Sequence, residues 1–343
     1  MKKDLVLIIN KKQLPKPSKV FDTYWKFAAK RQDIFFNKID GKEYPWTDDE
    51  TLRKHKFTNV YRASDRVSQY LIRNVIYDGD QSFDEVLFRT ILFKTFNKIE
   101  SWTLLRNEIG EITIKSFKFK QFSKIFSEAI EAGETIYSGA YIMASGKSKF
   151  GYDRKFQNHL RLIEMMIHDK AAEKILKLKS LDAIFQVLSS YPTIGSFLAY
   201  QYAIDLNYSA SLPFSEMDYV MPGPGAKDGI RKCFTDYGGY NETEIIKYVT
   251  DIQEQEFRRL GLQFKTLWGR RLHLIDSQNL FCEVDKYSRV LHPEISGLSN
   301  RKRIKQLYVP KKEKFEYWYP PKWEINVKIE EYGKRKKRFH QSL

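Results

Sequence analysis

Ser190-Tyr191-Pro192-Thr193-Ile194-Gly195-Ser196-Phe197-Leu198-Ala199 decides how this chain is read. Apolar residues recur at helical spacing before it, from Leu181 to Ser189, and after it, from Phe197 to Leu206, while Pro192 and Gly195 punctuate the turn between. The pattern predicts a helix, a tight hairpin and a second helix. That second helix begins where unpaired backbone N–H groups and the positive end of the helix dipole favour an anion such as phosphate. Thr193, Gly195 and Ser196 are therefore expected to meet a nucleic-acid backbone. Thr193 stands where glycine would take a positive φ more cheaply, so the turn is expected to differ in detail. Asp218 follows at the start of another turn. A fixed carboxylate in a dry site stabilises positive charge on a sugar carbon whose base leaves with the bonding electrons, and Asp218 is the candidate for that role.

Charge agrees with a polyanionic partner. The net charge is +16, and fourteen Lys or Arg against five Glu after residue 300 place +9 of it in the last 43 residues. The run Lys334 to Arg338 reads as a flexible arm on DNA or as a solvated tail. Two cysteines, Cys233 and Cys282, cannot build a disulfide framework, an iron–sulfur site or a cysteine-rich zinc site. The six histidines show no metal-ligand spacing, so no metal and no cofactor are expected. No apolar run reaches the roughly 20 residues needed to cross a bilayer, and Leu5 to Ile9 is too short for a secretory signal. A cytoplasmic protein with no membrane partner is the expectation.

Helical periodicity dominates, which predicts a mainly α, two-lobed fold with a few short strands, at Leu5 to Ile9 and around Glu111 to Ile114. Helices are expected over Asp22 to Asn37, Phe83 to Ile99, Phe119 to Ala132, Lys155 to Lys179, Gly225 to Tyr237, Glu242 to Leu260 and Leu274 to Leu291. No long linker divides residues 20 to 295. The organisation expected is an extended lead-in over 1–20, one interwoven two-lobed domain over 20–300 with the base held between its lobes, and a basic aromatic extension over 301–343.

Several other clusters qualify as site elements. Asn59, Arg62, Asp65, Arg66 and Gln69 recur at helical spacing, as a cleft lining or as a solvent face with intrahelical ion pairs. In Met221-Pro-Gly-Pro-Gly-Ala-Lys227, Gly223 and Gly225 free the backbone ahead of a helix bearing Lys227, either to cradle a phosphate or as a plain tight turn. Ala144-Ser-Gly-Lys-Ser148 imitates a nucleotide-binding loop, but Tyr141 occupies the position of its required first glycine. No nucleotide cofactor is expected, and Lys147 and Lys149 are left as strand-backbone contacts or as part of an exposed loop. Residues Asp276 to Arg289 read first as a surface ion-pair helix, with Glu283 or Asp285 able to face a cleft. Aromatics make up 15% of the chain; Tyr191, Tyr202 and Tyr219 are the candidates for stacking on an extruded base, though most aromatics must be core.

The hairpin and the later Asp218 resemble the helix-hairpin-helix DNA glycosylases. Phe197 falls where the strand-cutting members of that superfamily carry a Schiff-base lysine, so the resemblance implies base removal without strand cleavage. More narrowly, Trp25 to Arg31, Phe57 to Arg62, Asp65-Arg66, Gly195 to Asp205, Asp218, Gly223 to Ala226 and Cys282 to Tyr287 resemble the alpha-glutamyl/putrescinyl thymine pyrophosphorylase-like family of phage and bacterial DNA hypermodification systems. That family is related to the helical domain attached to hydroxymethyluracil DNA kinases. The resemblance implies one of two chemistries on modified bases in double-stranded DNA. The expectation adopted is a monofunctional glycosylase in anti-phage defence that flips out and excises a hypermodified base, such as glucosylated hydroxymethylcytosine. The alternative is a transferase that installs an amino acid or polyamine on pyrophosphorylated hydroxymethyluracil in phage DNA. A non-catalytic DNA-binding module is the third class.

Overall fold

The computed structural model describes residues 12–310 and 316–341, without the side chains of 335–341. The strand expected over Leu5 to Ile9 lies outside the described residues, as does the first part of the lead-in. The described chain is mainly helical, and its one sheet pairs Lys16–Pro17 antiparallel with Phe234–Asp236. Residues 111–113 are irregular and lead into a turn over 114–116, where a strand was expected. The Glu85 carboxylate accepts the Ile114 amide at 3.0 and 3.1 Å, and Ser116 Oγ accepts that of Thr113, so side chains take the bonds a neighbouring strand would have taken.

The chain divides into two compact units built from interleaved segments. One comprises residues 1–57, 222–265 and 277–310. Its first helix, Lys19–Ile39, starts where Ser18 Oγ accepts the Val20 amide. The apolar stripe of that helix buries Tyr24, Trp25 and Phe27. Their rings meet Phe281, Phe257 and Tyr287 at centroid distances of 4.7, 5.0 and 5.0 Å. The helix Pro224–Cys233 packs against Phe281 and Cys282 with almost no gap. A Cβ on Gly229 would lie 1.9 Å from the Phe281 carbonyl oxygen, and one on Gly225 would lie 2.3 Å from Cys282 Sγ. These glycines serve helix contact.

The other unit comprises residues 58–221, 266–276 and 311–343. Its centre is the helix Phe83–Phe96, buried on nearly every side and ended by Asn97 in the left-handed region at φ +49°. Against it pack Lys155–His168 and Ser196–Leu206, with Phe119–Glu131 on the first of these and Leu181–Ser189 on the second. The helix expected over Lys155 to Lys179 is broken at Lys170, which takes φ +53°, and resumes as Ala171–Leu176. Glu242 to Leu260 likewise divides in the first unit, into Glu242–Asp251 and Gln253–Arg259. The basic run Lys334 to Arg338 lies in the helix Asn326–Gln341, so its backbone is helical where an irregular arm was expected.

Candidate active site

The hairpin has the expected form. Leu181–Ser189 leads into Tyr191 to Gly195, and Ser196–Leu206 leaves it. Thr193 does take a positive φ, +70°, in the place of the usual glycine. Gly195 and Ser196 are exposed, and no side chain caps the amides of the second helix. The loop bearing Lys147 and Lys149 lies beside this turn, because Gly146, at φ +72°, brings its Cα so close that an added Cβ would stand 3.0 Å from Thr193 Cγ2. Lys149 is exposed, and Lys147 pairs with Asp153 at 2.5 Å.

The same helix ends in a sealed charge cluster. Asp205, in its last turn, accepts Arg62 Nη1 at 2.6 Å and Nη2 at 3.0 Å, and Lys94 Nζ lies 3.3 Å away. Arg62 also donates from Nε to Gln201 at 2.9 Å and from Nη1 to the Tyr208 hydroxyl at 3.1 Å. All three charged side chains are buried. Burial pushes the Asp205 carboxyl up, but Arg62 and Lys94 more than reverse this and hold it below the usual range. Burial lowers Lys94 to about 8 despite Asp205. With Lys94 protonated the trio carries one net positive charge. Its cover is Tyr141, half-buried at φ +57°, whose ring lies 4.2 Å from Lys94 Nζ and stacks 6° from parallel on Phe197 at 5.9 Å.

Carboxylates gather on the other side of Arg62. The Arg62 and His273 amides donate to the two oxygens of Asp276 at 3.0 and 3.1 Å. Burial, with Glu216 adding to it, raises Asp276 to about 7. Glu216 is buried and accepts Arg270 Nη2 at 3.1 Å, and the Arg270 guanidinium lies 3.7 Å from the Trp323 ring. His273 Nδ1 lies 2.8 Å from Arg270 Nη2; burial and the adjacent arginines hold the ring neutral, with a pKa of about 3. Among the described residues, Glu216 Oε1 and the Tyr200 hydroxyl are buried with no hydrogen-bond partner. Lys322, lowered to about 8 by burial, donates to the carbonyls of Asn207 and Leu212. A proton acceptor that titrates near neutrality thus sits beside Glu216 and Arg270, and Lys322 faces the same Glu216.

The family model for the helical domain of 5-hmdU DNA kinase matches residues 18–297. The chain belongs to the 5-hmdU DNA kinase helical-domain family. A curated relative, the 5-hmdU DNA kinase of Bacillus phage SP10, is 28% identical over 288 residues, which cover 78% of this chain and 45% of that protein. The chain thus spans less than half the length of the relative it matches. No solved structure matches it. Both matches are to a 5-hmdU DNA kinase or its helical domain, which overturns the expectation of a base-excising glycosylase. The geometry gives the physical reason: Asp218 is exposed in the turn that begins at Ser215, so water screens the carboxylate that base excision required in a dry site. The exclusion of a nucleotide cofactor is not retained either, since the relative is a kinase by name.

Of the other residues singled out in sequence, Arg62 enters the cluster while Asn59 and Asp65 shape the loop that carries it. The Asn59 amide donates to Asp65 Oδ1 and its side chain to the Ser64 carbonyl, both at 2.7 Å. These bonds replace the single helix expected there, and regular structure begins with a short 3₁₀ turn, Arg62–Ser64, followed by Arg66–Leu71. Tyr191 is buried and its hydroxyl donates to Asp169 at 2.6 Å. Tyr202 is sealed in the core, so Tyr191 and Tyr202 have structural roles in place of base stacking, while the half-buried Tyr219 packs on Phe185 and Tyr200. Gly223, Gly225 and Lys227 belong to the other unit, where Gly223 is buried and Gly225 abuts Cys282. Glu283, also in that unit, pairs with Lys286 at 2.9 Å.

Lys94, Gln201, Asp205, Glu216, Arg270 and His273 went unmarked, and Asp276 was read as surface. A signal existed for two of them: Lys94, with Arg89 one of two charges in the apolar run Val86 to Phe96, and the lone Asp205 in Phe197 to Leu206 are charges on otherwise apolar stretches. Among the described residues no helix is long and apolar enough to cross a membrane, and no three His, Cys, Asp or Glu side chains are grouped to hold a metal ion.

Proposed function

We propose that this chain is a transferase of phage DNA hypermodification, which replaces a pyrophosphate-activated 5-hydroxymethyl oxygen on a uracil in DNA with the nitrogen of an amine or amino acid. One observation carries the reading: a buried carboxylate near neutrality, Asp276, held by the Arg62 amide and accompanied by Glu216, whose Oε1 is unpartnered and which is faced by Arg270 and Lys322. In the proposed reaction the C5 methylene carbon forms a bond to nitrogen as its bond to oxygen breaks. The oxygen leaves with the electron pair as pyrophosphate, and the proton lost by the amine passes to Asp276 or Glu216. Arg62 and Lys94 supply the positive field for the departing anion. The hairpin, in the manner of helix-hairpin-helix proteins, holds a strand phosphate at the exposed amides of Gly195 and Ser196, with Lys149 beside it.

The test is to incubate the protein with an oligonucleotide bearing 5-pyrophosphoryloxymethyluracil and a mixture of amino acids and polyamines, then digest to nucleosides and weigh them by mass spectrometry. A nucleoside heavier by one amine, with release of pyrophosphate, is expected. Phosphorylation of 5-hydroxymethyluracil DNA by ATP with this chain alone, and no amine adduct, would overturn the reading.

A further inference from the structure

Lys322 and Trp323 stand beside the carboxylate cluster although they lie beyond the family-matched residues 18–297. The segment that carries them, 316–326, is tied into the same compact unit along its length. Arg73 Nη1 donates to the Glu316 carbonyl at 2.6 Å, the Trp318 amide donates to Gln69 Oε1 at 2.9 Å, and the buried Tyr319 hydroxyl lies 2.7 Å from Ser64 Oγ. Ser64 ends the 3₁₀ turn that begins at Arg62, so the segment is joined to the loop that enters the charge cluster. Asn326 closes it on itself, accepting the Tyr319 amide at 2.9 Å and donating to the Tyr319 carbonyl at 2.8 Å. Between these anchors Pro320 and Pro321 fix the chain into the 3₁₀ turn Pro321–Trp323. Lys322, in that turn, donates to the carbonyls of Asn207 and Leu212 and so fastens it just past the helix Ser196–Leu206.

The turn delivers one ring to the site. Trp323 stacks on Tyr319, 20° from parallel at 5.8 Å, meets Tyr208 edge-on at 5.8 Å, and carries the Arg270 guanidinium at 3.7 Å. Arg270 Nη2 in turn holds Glu216 Oε2 at 3.1 Å. A guanidinium at the end of a flexible stem is restrained to one plane when it lies on an aromatic face, and a ring already packed by two others gives it a fixed one.

We propose that Trp323 is a positioning residue of the candidate site, holding Arg270 on Glu216, so that the segment beyond the family-matched residues completes the machinery within them. The proposal deepens the transferase reading and rests on it for the chemistry that Arg270 serves.

Asp276 reports where Arg270 stands. Burial and then Glu216 raise its pKa, and Arg270 lowers it. The hydroxyls of Tyr61, Tyr200, Tyr208 and Tyr319 also act on it, and burial keeps them protonated. Without the Trp323 ring Arg270 is released, its lowering effect is lost, and the folded pKa of Asp276 should rise from about 7. The stability that each protein loses with pH, relative to its own Asp276→Asn counterpart, levels off above that pKa. Urea titrations of the full chain at a series of pH values locate the levelling. It is expected roughly half a pH unit or more higher in Trp323→Leu than in the parent, and unmoved in Trp323→Phe, which keeps a ring under the cation. Trp323→Met takes the place of Trp323→Leu if the latter does not fold. In the amine-transfer assay the same variant should be about tenfold slower, with the acidic limb of its pH–rate profile moved in the same direction. A folded variant that levels off where the parent does overturns the proposal, as does an equal shift in Trp323→Phe, whether or not amine transfer is found. A parent that transfers no amine, beside a Trp323→Leu that shifts the levelling, overturns the transferase reading and supports the positioning role.

Discussion

Arg62 and Asp205 meet through two parallel hydrogen bonds, Nη1 to Oδ1 at 2.6 Å and Nη2 to Oδ2 at 3.0 Å, with neither side chain reaching solvent. This fork geometry is the strongest form of ion pair a protein interior holds, and it anchors Lys94 as well. Its loss would leave two buried cations facing each other.

Asp205→Asn is therefore expected to destabilise the protein by about 3–5 kcal/mol, the scale of a buried pair broken on one side. Urea denaturation of the two proteins followed by circular dichroism measures this. A loss below about 1 kcal/mol would show that water reaches the cluster.

Lys94 carries a specific pH signature. Its folded pKa, about 8, lies below the ordinary 10.5, so between those values the unfolded chain binds more protons than the folded one and stability rises with pH. The stability of the parent relative to Lys94→Met should climb across that window and level off above it. Denaturation curves at pH 7, 9 and 10.5 decide the point, and a flat difference would place the ammonium in water.

Asp276 has the opposite sign. Raised to about 7 from 3.8, it holds a proton in the folded state that the unfolded state releases, so its contribution is complete below pH 3.8 and is lost as pH rises through 7. Stability of the parent relative to Asp276→Asn should fall across this interval. The same substitution should lower amine transfer by at least about a hundredfold, the usual yield of a general base, and remove the acidic limb of the pH–rate profile.

The hairpin reading predicts a salt effect. Lys147→Ala combined with Lys149→Ala should reduce the slope of log affinity for double-stranded DNA against log salt by roughly one to two, equally for every sequence, because phosphate contacts release counterions without reading bases. Fluorescence anisotropy at several salt concentrations measures the slope. An unchanged slope would remove the basic loop from the interface.

Local chemistry was legible in the sequence where neighbours along the chain make the structure. Helical periodicity marked Leu181–Ser189 and Leu274–Leu291, and the Pro192 to Gly195 punctuation marked the turn. It failed where side chains took over backbone bonds, as Asn59 and Asp65 do ahead of Arg62. It failed again at the chemistry, because Arg62, Lys94, Asp205, Glu216 and Asp276 come from five separate stretches and only folding brings them into one electrostatic field. Asp218 shows the cost of reading by order along the chain: it follows the hairpin as an active carboxylate would, while two residues earlier the chain turns Glu216 inward and leaves Asp218 in water.

The helix Ser196–Leu206 offers bare amides at one end and holds Asp205 at the other, about 14 Å apart at 1.5 Å per residue. A rod that short does not bend, so a tilt imposed where a strand is grasped must reappear at the carboxylate. On the proposed function, grip and chemistry then share one lever.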